Sequence, residues 1–567
     1  MTIARTFFST CIIAFLFIDP VGAQYRGDRP TWGHDQERSG WNRTEATLTK
    51  NNVSKLGVIW STQLSTSPTD IVLSTLTAPV GIADVVTPQG SKNMLFLLGA
   101  DDTLFALDAA DGKIIWQKSF PNAVSVKRAA TWLCPNTANA TPVIDRQKGV
   151  IYFITSDGKL RGVALSDGAE RLTPTDFVAP FARDWSLNLI DNVVYTTSAR
   201  GCGQLEPDAE MASALVSKGT GIQLDPGAIS AANVRDPKHP RVTHYYTSGG
   251  RPAGPWGRGG VAKTPKGIVT QTADGPFEPS AGNFGHSVLE LAPGAARLID
   301  SFTPSNWKAM NAKDLDFGSG SPIVFSFKGR TMIATAGKEG AIYLLDASDL
   351  GGSTADHSKP LLRLPVGNDA GSGIEPGQGL WGALSTYESA DGNRYFYLPM
   401  WGPPAKDMPA FKYSNGPTPN GSIMAFQLVD DAGKFSLVPV WMSPNMTVPD
   451  SPVVANGVVY AVQTGEQTLQ VRPNLFQQLS QRPAQGAARS AFSAADAEKF
   501  FADAAKFRAT PVSNLVLYAF DAETGKQLYT SNKIIPNWVH FTEPVVAFGK
   551  VFVVTHDAHV YAFGLKH

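Results

Sequence analysis

Several kinds of chemistry are ruled out by what this 567-residue chain does not contain. Charge of one sign is not in excess: 49 Lys and Arg stand against 49 Asp and Glu, so no net field draws the chain to nucleic acid or to an anionic membrane surface. Cysteine is scarce, with three in all. None stands in a C-x-x-C-H motif, which excludes a covalently attached c-type haem. The nine histidines form no H-E-x-x-H and no clustered ligand spacing. No nucleophile elbow G-x-S-x-G and no glycine-rich phosphate loop occurs. Long apolar runs are missing too, because the run from Cys11 to Ile18 is too short to span a bilayer. Helical periodicity is almost absent, which disfavours a parallel α/β architecture.

What is present is a succession of short strands. The 53 Gly and 40 Pro are scattered, as expected of many strands joined by turns. Residues 1–23 carry one Arg, the apolar run and a small-residue end at Val21, Gly22 and Ala23, the layout of a secretory signal peptide cleaved after Ala23. A periplasmic or secreted location follows. Cys134 and Cys202, the two cysteines left in the mature chain, are expected to form one disulfide in that setting. A polar N-terminal arm, 24–56, precedes a strand from Val58 to Leu64. From Met94, MLFLLGADDTLFALDAADGKIIWQKSF reads as three strands joined by two tight turns, most of one four-stranded antiparallel sheet. The pattern recurs from Pro142, Leu187, Gly267, Ser321, Leu380, Pro452 and Pro544, about eight units. The last unit stops at Phe563 without its outer strand, and the strand around Trp60 has the sequence to supply it. The expected fold is all-β, a single eight-bladed β-propeller of four-stranded antiparallel blades over 57–567. Strands from both chain ends close it, so that no sheet edge stays open. One helix is expected, inserted in the seventh unit at about 486–509, and no transmembrane segment remains after signal cleavage.

The units ALDAADGKIIW (Ala106 to Trp116) and YAFDAETGKQLY (Tyr518 to Tyr529), with GHDQERSGWN and LTKNNVSKLGVIW near the start, resemble the pyrroloquinoline quinone (PQQ) propeller superfamily, which includes the quinoprotein alcohol dehydrogenases. The resemblance runs over nearly the whole mature chain. It is specific for the fold, since the same repeat also builds propellers without catalysis. In the dehydrogenases the quinone lies at the channel mouth between a Trp ring and a disulfide, with a metal ion at one edge. Trp256, in GPWGRGG before the fourth unit, falls where that stacking Trp stands. Asp316, in DLDFGSG, matches the catalytic base that takes the alcohol proton as hydride moves to the quinone, with Asp314 as its orienting neighbour. Lys338, in AGKEGAIYLLD, matches the basic residue beside the quinone oxygens. Asp274, in TADGPFEP, stands where a metal-binding Asn is found, so Asp274 and Asp316 are the implied calcium ligands. Gly318 stands where lanthanide-using relatives carry a further Asp, which points to calcium. Cys134 and Cys202 are implied to pair across the channel mouth. The family's remaining metal ligand, a Glu after the third unit's inner strand, has no match, because Glu206 and Glu210 are out of register.

The activity so implied is oxidation of an alcohol or polyol, including a sugar-like hydroxyl compound. PQQ and calcium would be cofactors, and a separate electron acceptor such as a soluble cytochrome would be the partner. The alternative is a non-catalytic propeller that binds a protein or polysaccharide. The missing Glu favours the alternative, and the joint presence of Trp256, Asp274, Asp316 and Lys338 favours the enzyme.

Overall fold

The repeat is explained by its tight turn. In the turn from Asp108 to Gly112, the Asp108 carboxylate accepts the Ala110 N–H at 2.9 Å, and the Gly112 N–H closes on the Asp108 carbonyl at 2.9 Å. Gly112 has φ 73°, and a Cβ there would lie 2.5 Å from the Trp60 ring. Only glycine meets both demands. The Trp60 indole, from the neighbouring blade, donates to the Ala109 carbonyl at 3.3 Å; Trp116 does the same to Leu165 at 3.0 Å and Trp441 to Ala522 at 2.9 Å. The outer Trp of one unit and the glycine turn of the next are therefore one contact, and it clamps blade to blade.

The structure is a computed structural model in which residues 27–66, 73–125, 135–137, 140–199, 227–249, 253–352, 357–367, 377–467, 503 and 506–566 are described. The signal segment, Cys134, Cys202 and most of the expected helical insertion lie outside the described residues. Within that insertion Asp503 and residues 506–508 are helical. Among the described residues no helix is long and apolar enough to cross a membrane.

Eight sheets form the ring: six are four-stranded, the blade 7 sheet takes Trp41–Asn42 of the arm as a fifth strand, and the blade 6 sheet carries Gly379–Leu380 and Tyr413–Ser414 beside its four. Blade 1 comprises Val80–Thr87, Gly90–Leu98, Thr103–Asp108 and Ile114–Ser119. The sequence showed three of these; the fourth is the inner strand Val80–Thr87, whose turn before Gly90 lacks the repeat's signature. Blades 2 to 7 begin at the inner strands Val143–Asp145, Asn188–Ile190, Ala262–Thr264, Ile323–Phe327, Ser385–Glu388 and Val453–Ala455. Blade 8 takes Val545–Ala547, Lys550–Val554 and His559–Leu565 from the end of the chain and Leu56–Gln63 from its beginning. Leu56 pairs opposite Leu565 and Gln63 opposite His559, antiparallel, which closes the ring as expected. One short helix, Trp307–Ala312, lies between blades 4 and 5 and was not expected from the periodicity.

The arm floors the channel. In sequence order its residues bond the second residue of every inner strand: Arg29 to Gly81, Pro30 to Ile144, Gln36 to Leu189 and Lys263, Glu37 to Val324, Ser39 to Thr386, Gly40 to Val454, and Asn42 to Val546. Six of these eight contacts are main chain to main chain. Arg38, 1% exposed, ties the floor together by donating to the Val261, Trp32 and Leu187 carbonyls and to Thr31 Oγ1. With this end filled by protein, the opposite mouth is left as the place for a site.

Candidate functional site

The connections at the mouth bring the sequence-predicted residues together. Lys338 sits in the turn between the blade 5 strands Arg330–Ala336 and Ala341–Asp346, and Asp314 and Asp316 lie in the connection from blade 4. Asp274 follows the blade 4 strand Gly267–Gln271, and Trp256 precedes that blade. Glycines permit the approach: a Cβ on Gly337 would lie 2.8 Å from the Asp316 carbonyl, and one on Gly318 would lie 2.5 Å from the Ala273 nitrogen. Gly318 is therefore also required by backbone packing against Ala273, a steric demand that stands beside its reading as a pointer to calcium.

Lys338 is the hub. Its Nζ lies 2.5 Å from Asp316 Oδ2 and 3.3 Å from Asp314 Oδ2. It stands 4.6 Å from the centroid of Trp381 and 5.4 Å from that of Trp256, distances at which a ring face attracts a cation. The Asp274 N–H donates to Asp316 Oδ1 at 3.2 Å, and the Asp274, Asp314 and Asp316 carboxylates all lie within 4.8 Å of one another. Burial works against charge on Asp316, but the ammonium of Lys338, with His286 and the Asp274 N–H, outweighs it and holds the carboxyl below the ordinary range. Burial likewise opposes charge on Lys338, and Asp314 and Asp316 outweigh it and raise its pKa. Asp314 is pushed up, first by the protein mass around the recess, although 44% of its side chain remains accessible; that exposure makes the push smaller than it would be for a sealed carboxyl.

Several neighbours escaped the sequence reading. Trp381, 4% exposed, meets Trp256 edge-on at 5.5 Å and stacks on Trp401 at 4.6 Å. His286, fully buried with φ 50°, accepts the Phe317 N–H at Nδ1 (3.3 Å), and Asn311 accepts the Gly275 N–H at 2.9 Å. These two contacts fix the turns that carry Asp316 and Asp274. Deeper in the channel, Arg258 forms a buried ion pair with Asp450 and lies 4.5 Å from the Phe541 ring. A cavity of about 30 Å³ is lined in part by Trp32, Trp185, Arg258 and Phe541. A sequence signal existed for the aromatic residues: Trp185, Trp256, Trp381 and Phe541 each stand a few residues ahead of an inner strand.

Comparison with known proteins bears on the fold. A family model described as outer membrane protein assembly factor BamB matches residues 43–178, which take in the closing strand and the first two blades. No curated protein matches the chain. Among solved structures, quinohemoprotein alcohol dehydrogenase ADHIIG of Pseudomonas putida HK5 aligns with TM-score 0.55 at 12% identity, over 95% of this chain and 80% of that one. The quinohemoprotein alcohol dehydrogenase of Comamonas testosteroni gives 0.55 at 13%, over 95% and 81%. A europium-containing methanol dehydrogenase gives 0.58 at 13%, over 95% and 98%. At these identities the likeness is one of fold alone, and the fold is a β-propeller like that of these dehydrogenases.

Proposed function

We propose that the protein is an exported quinoprotein oxidoreductase that oxidises a hydroxyl compound and passes the electrons to a separate carrier. The observation that supports this most is the convergence of Trp256, Asp274, Asp314, Asp316 and Lys338 at one channel mouth. The side chains suit both implied cofactors: the half-buried Trp256 ring offers a flat apolar face, and three clustered carboxylates are the hard oxygen donors that calcium takes. Bound PQQ and calcium would supply a hydride acceptor and a Lewis acid for the hydroxyl oxygen. Asp274 and Asp316 would hold the calcium, so that its binding competes with the contact from Lys338.

The chain's own residues then divide the remaining work. Lys338 keeps Asp316 ionised, so the carboxylate is always able to take the hydroxyl proton. The same contact keeps it a weak base, and base strength grows as Lys338 withdraws. Lys338, beside both indole faces, offers positive charge where electron density accumulates on a ligand lying against Trp256. Asp314 shares Lys338 with Asp316 and so sets how tightly the base is held.

The test is to add PQQ and calcium to the purified mature chain and follow quinone absorbance and dye reduction with a panel of alcohols. Binding by the wild type is expected, with Trp256→Ala weakening it about 30-fold, and Asp316→Ala is expected to bind quinone yet leave the dye oxidised. No binding, or binding indifferent to Trp256→Ala, sinks the proposal. A second reading, a propeller without catalysis that serves as a scaffold, is favoured by one observation. Lys338 already satisfies Asp314 and Asp316 without an ion.

A further inference from the structure

On the far wall of the mouth stands a second acid–base pair that the roles above leave unused. Glu466 follows the blade 7 strand Val458–Gln463, and His540 precedes the inner strand of blade 8. His540 Nδ1 and Glu466 Oε2 are 2.6 Å apart, and each side chain is 2% exposed. The other carboxyl oxygen, Glu466 Oε1, is buried with no hydrogen-bond partner among the described residues. An unpaired buried acceptor is a standing penalty on the fold, and a ligand that donates to it removes that penalty.

An aromatic floor joins this pair to the first wall. The Phe541 ring lies 3.7 Å from that of His540 and 6.4 Å from that of Trp381, which in turn contacts Lys338. Arg508 interacts electrostatically with both Glu466 and Asp314, so one cation serves both walls.

We propose that Glu466 and His540 form a second subsite that holds a hydroxyl group, so that the ligand of this mouth is a polyol or sugar with one hydroxyl at Asp316 and another at Glu466. The part concerning Asp316 rests on the quinoprotein reading; the subsite itself does not need the quinone.

The charge state favours a neutral ligand group. Burial lifts the Glu466 carboxyl well above its ordinary range, with Asp450 adding to the rise and Arg508, Arg258 and His556 opposing it. Burial also lowers His540 well below its ordinary value, with Arg508, Arg258 and Arg183 adding and Asp450 opposing. Both shifts favour the uncharged forms, so the pair offers a ligand hydrogen bonds in place of charge. A hydroxyl donates to Glu466 Oε1 in this way. Between the two polar walls, the faces of Trp381 and Phe541 suit the apolar C–H side of a sugar ring.

The test titrates glucose and 1-propanol into the full mature chain, first without quinone, by calorimetry and by the ¹⁵N shifts of the His540 ring. Glucose is expected to move those shifts and to bind about tenfold more tightly than 1-propanol; Glu466→Met and His540→Phe should each remove about that tenfold and leave 1-propanol unchanged. In PQQ-loaded protein the same substitutions should raise KM for glucose and spare both kcat and the KM for 1-propanol. A merely structural role would shift both alcohols alike and overturn the proposal. So would glucose binding that neither substitution weakens, whatever PQQ does. Glucose held through Glu466 in a chain that fails to bind PQQ would instead keep the subsite and remove the quinone reading.

Discussion

Arg38 at one end of the channel and Lys338 at the other are buried in opposite ways. At the floor, Arg38 directs its guanidinium at three main-chain carbonyls and a threonine hydroxyl, none of which titrates in the working range. At the mouth, Lys338 faces two carboxylates, and across from it a glutamate faces a histidine with one oxygen left over. Buried charge by itself therefore says little about function. It marks a working site where its partners can change charge as well. The floor is a fixed frame, and its eight contacts suit a ring of eight blades and no other number.

This contrast can be broken or sharpened by experiment. The largest loss is expected at the floor, where Arg38→Ala removes a buried side chain and one donor from each of three carbonyls, of which Leu187 and Val261 keep another, and costs about 4 kcal/mol, read from the urea midpoint. The loss should be the same at pH 5 and pH 8; a pH-dependent loss would erase the distinction between the two ends.

Lys338→Met comes next, at about 3 kcal/mol near neutral pH, because it strands Asp316 as a buried charge. Here the effect should follow pH. The depressed pKa of Asp316 contributes stability above the ordinary aspartate value of about 4, and that stability is lost as pH falls through the folded-state value. The raised pKa of Lys338 contributes below the ordinary lysine value of about 10.4 and is lost as pH rises through its folded-state value. The gap between wild type and variant should accordingly be full between these limits and close on either side, as measured by denaturation across pH. The smallest effect is expected for Asn42→Ala, about 1.5 kcal/mol, since only the contact to blade 8 and a local turn are lost. A loss as large as that for Arg38 would mean that the arm acts as one cooperative unit.

The blades were legible in the sequence because their determinants are neighbours in it. Asp108, Gly112 and Trp116 fall within one unit, and their recurrence reports the clamp between blades. The closing strand around Trp60 was legible for the same reason. The floor was not, because most of its contacts are between main-chain atoms, which leave no residue signature. At the mouth, Asp316 and Lys338 were found through a resemblance, whereas Trp381 required aligning the units on the aromatic residue ahead of each inner strand. Glu466 and His540 are 74 residues apart, and neither has a local pattern around it. Gly318 has a further cause that the sequence does not show, a backbone contact that only the folded ring reveals.

The pairing of Leu56–Gln63 with His559–Leu565 also sets a clock. The strand that completes the ring is among the first parts of the chain to be made and the last to find its place. Throughout that interval the nascent protein carries two unsatisfied sheet edges, one at each end, and nothing local can cover either. On the reading of an exported protein, the interval includes passage across a membrane. A product that stops before His559 would never lose those edges, and the readiest partner for its waiting strand would be the open edge of another unfinished chain.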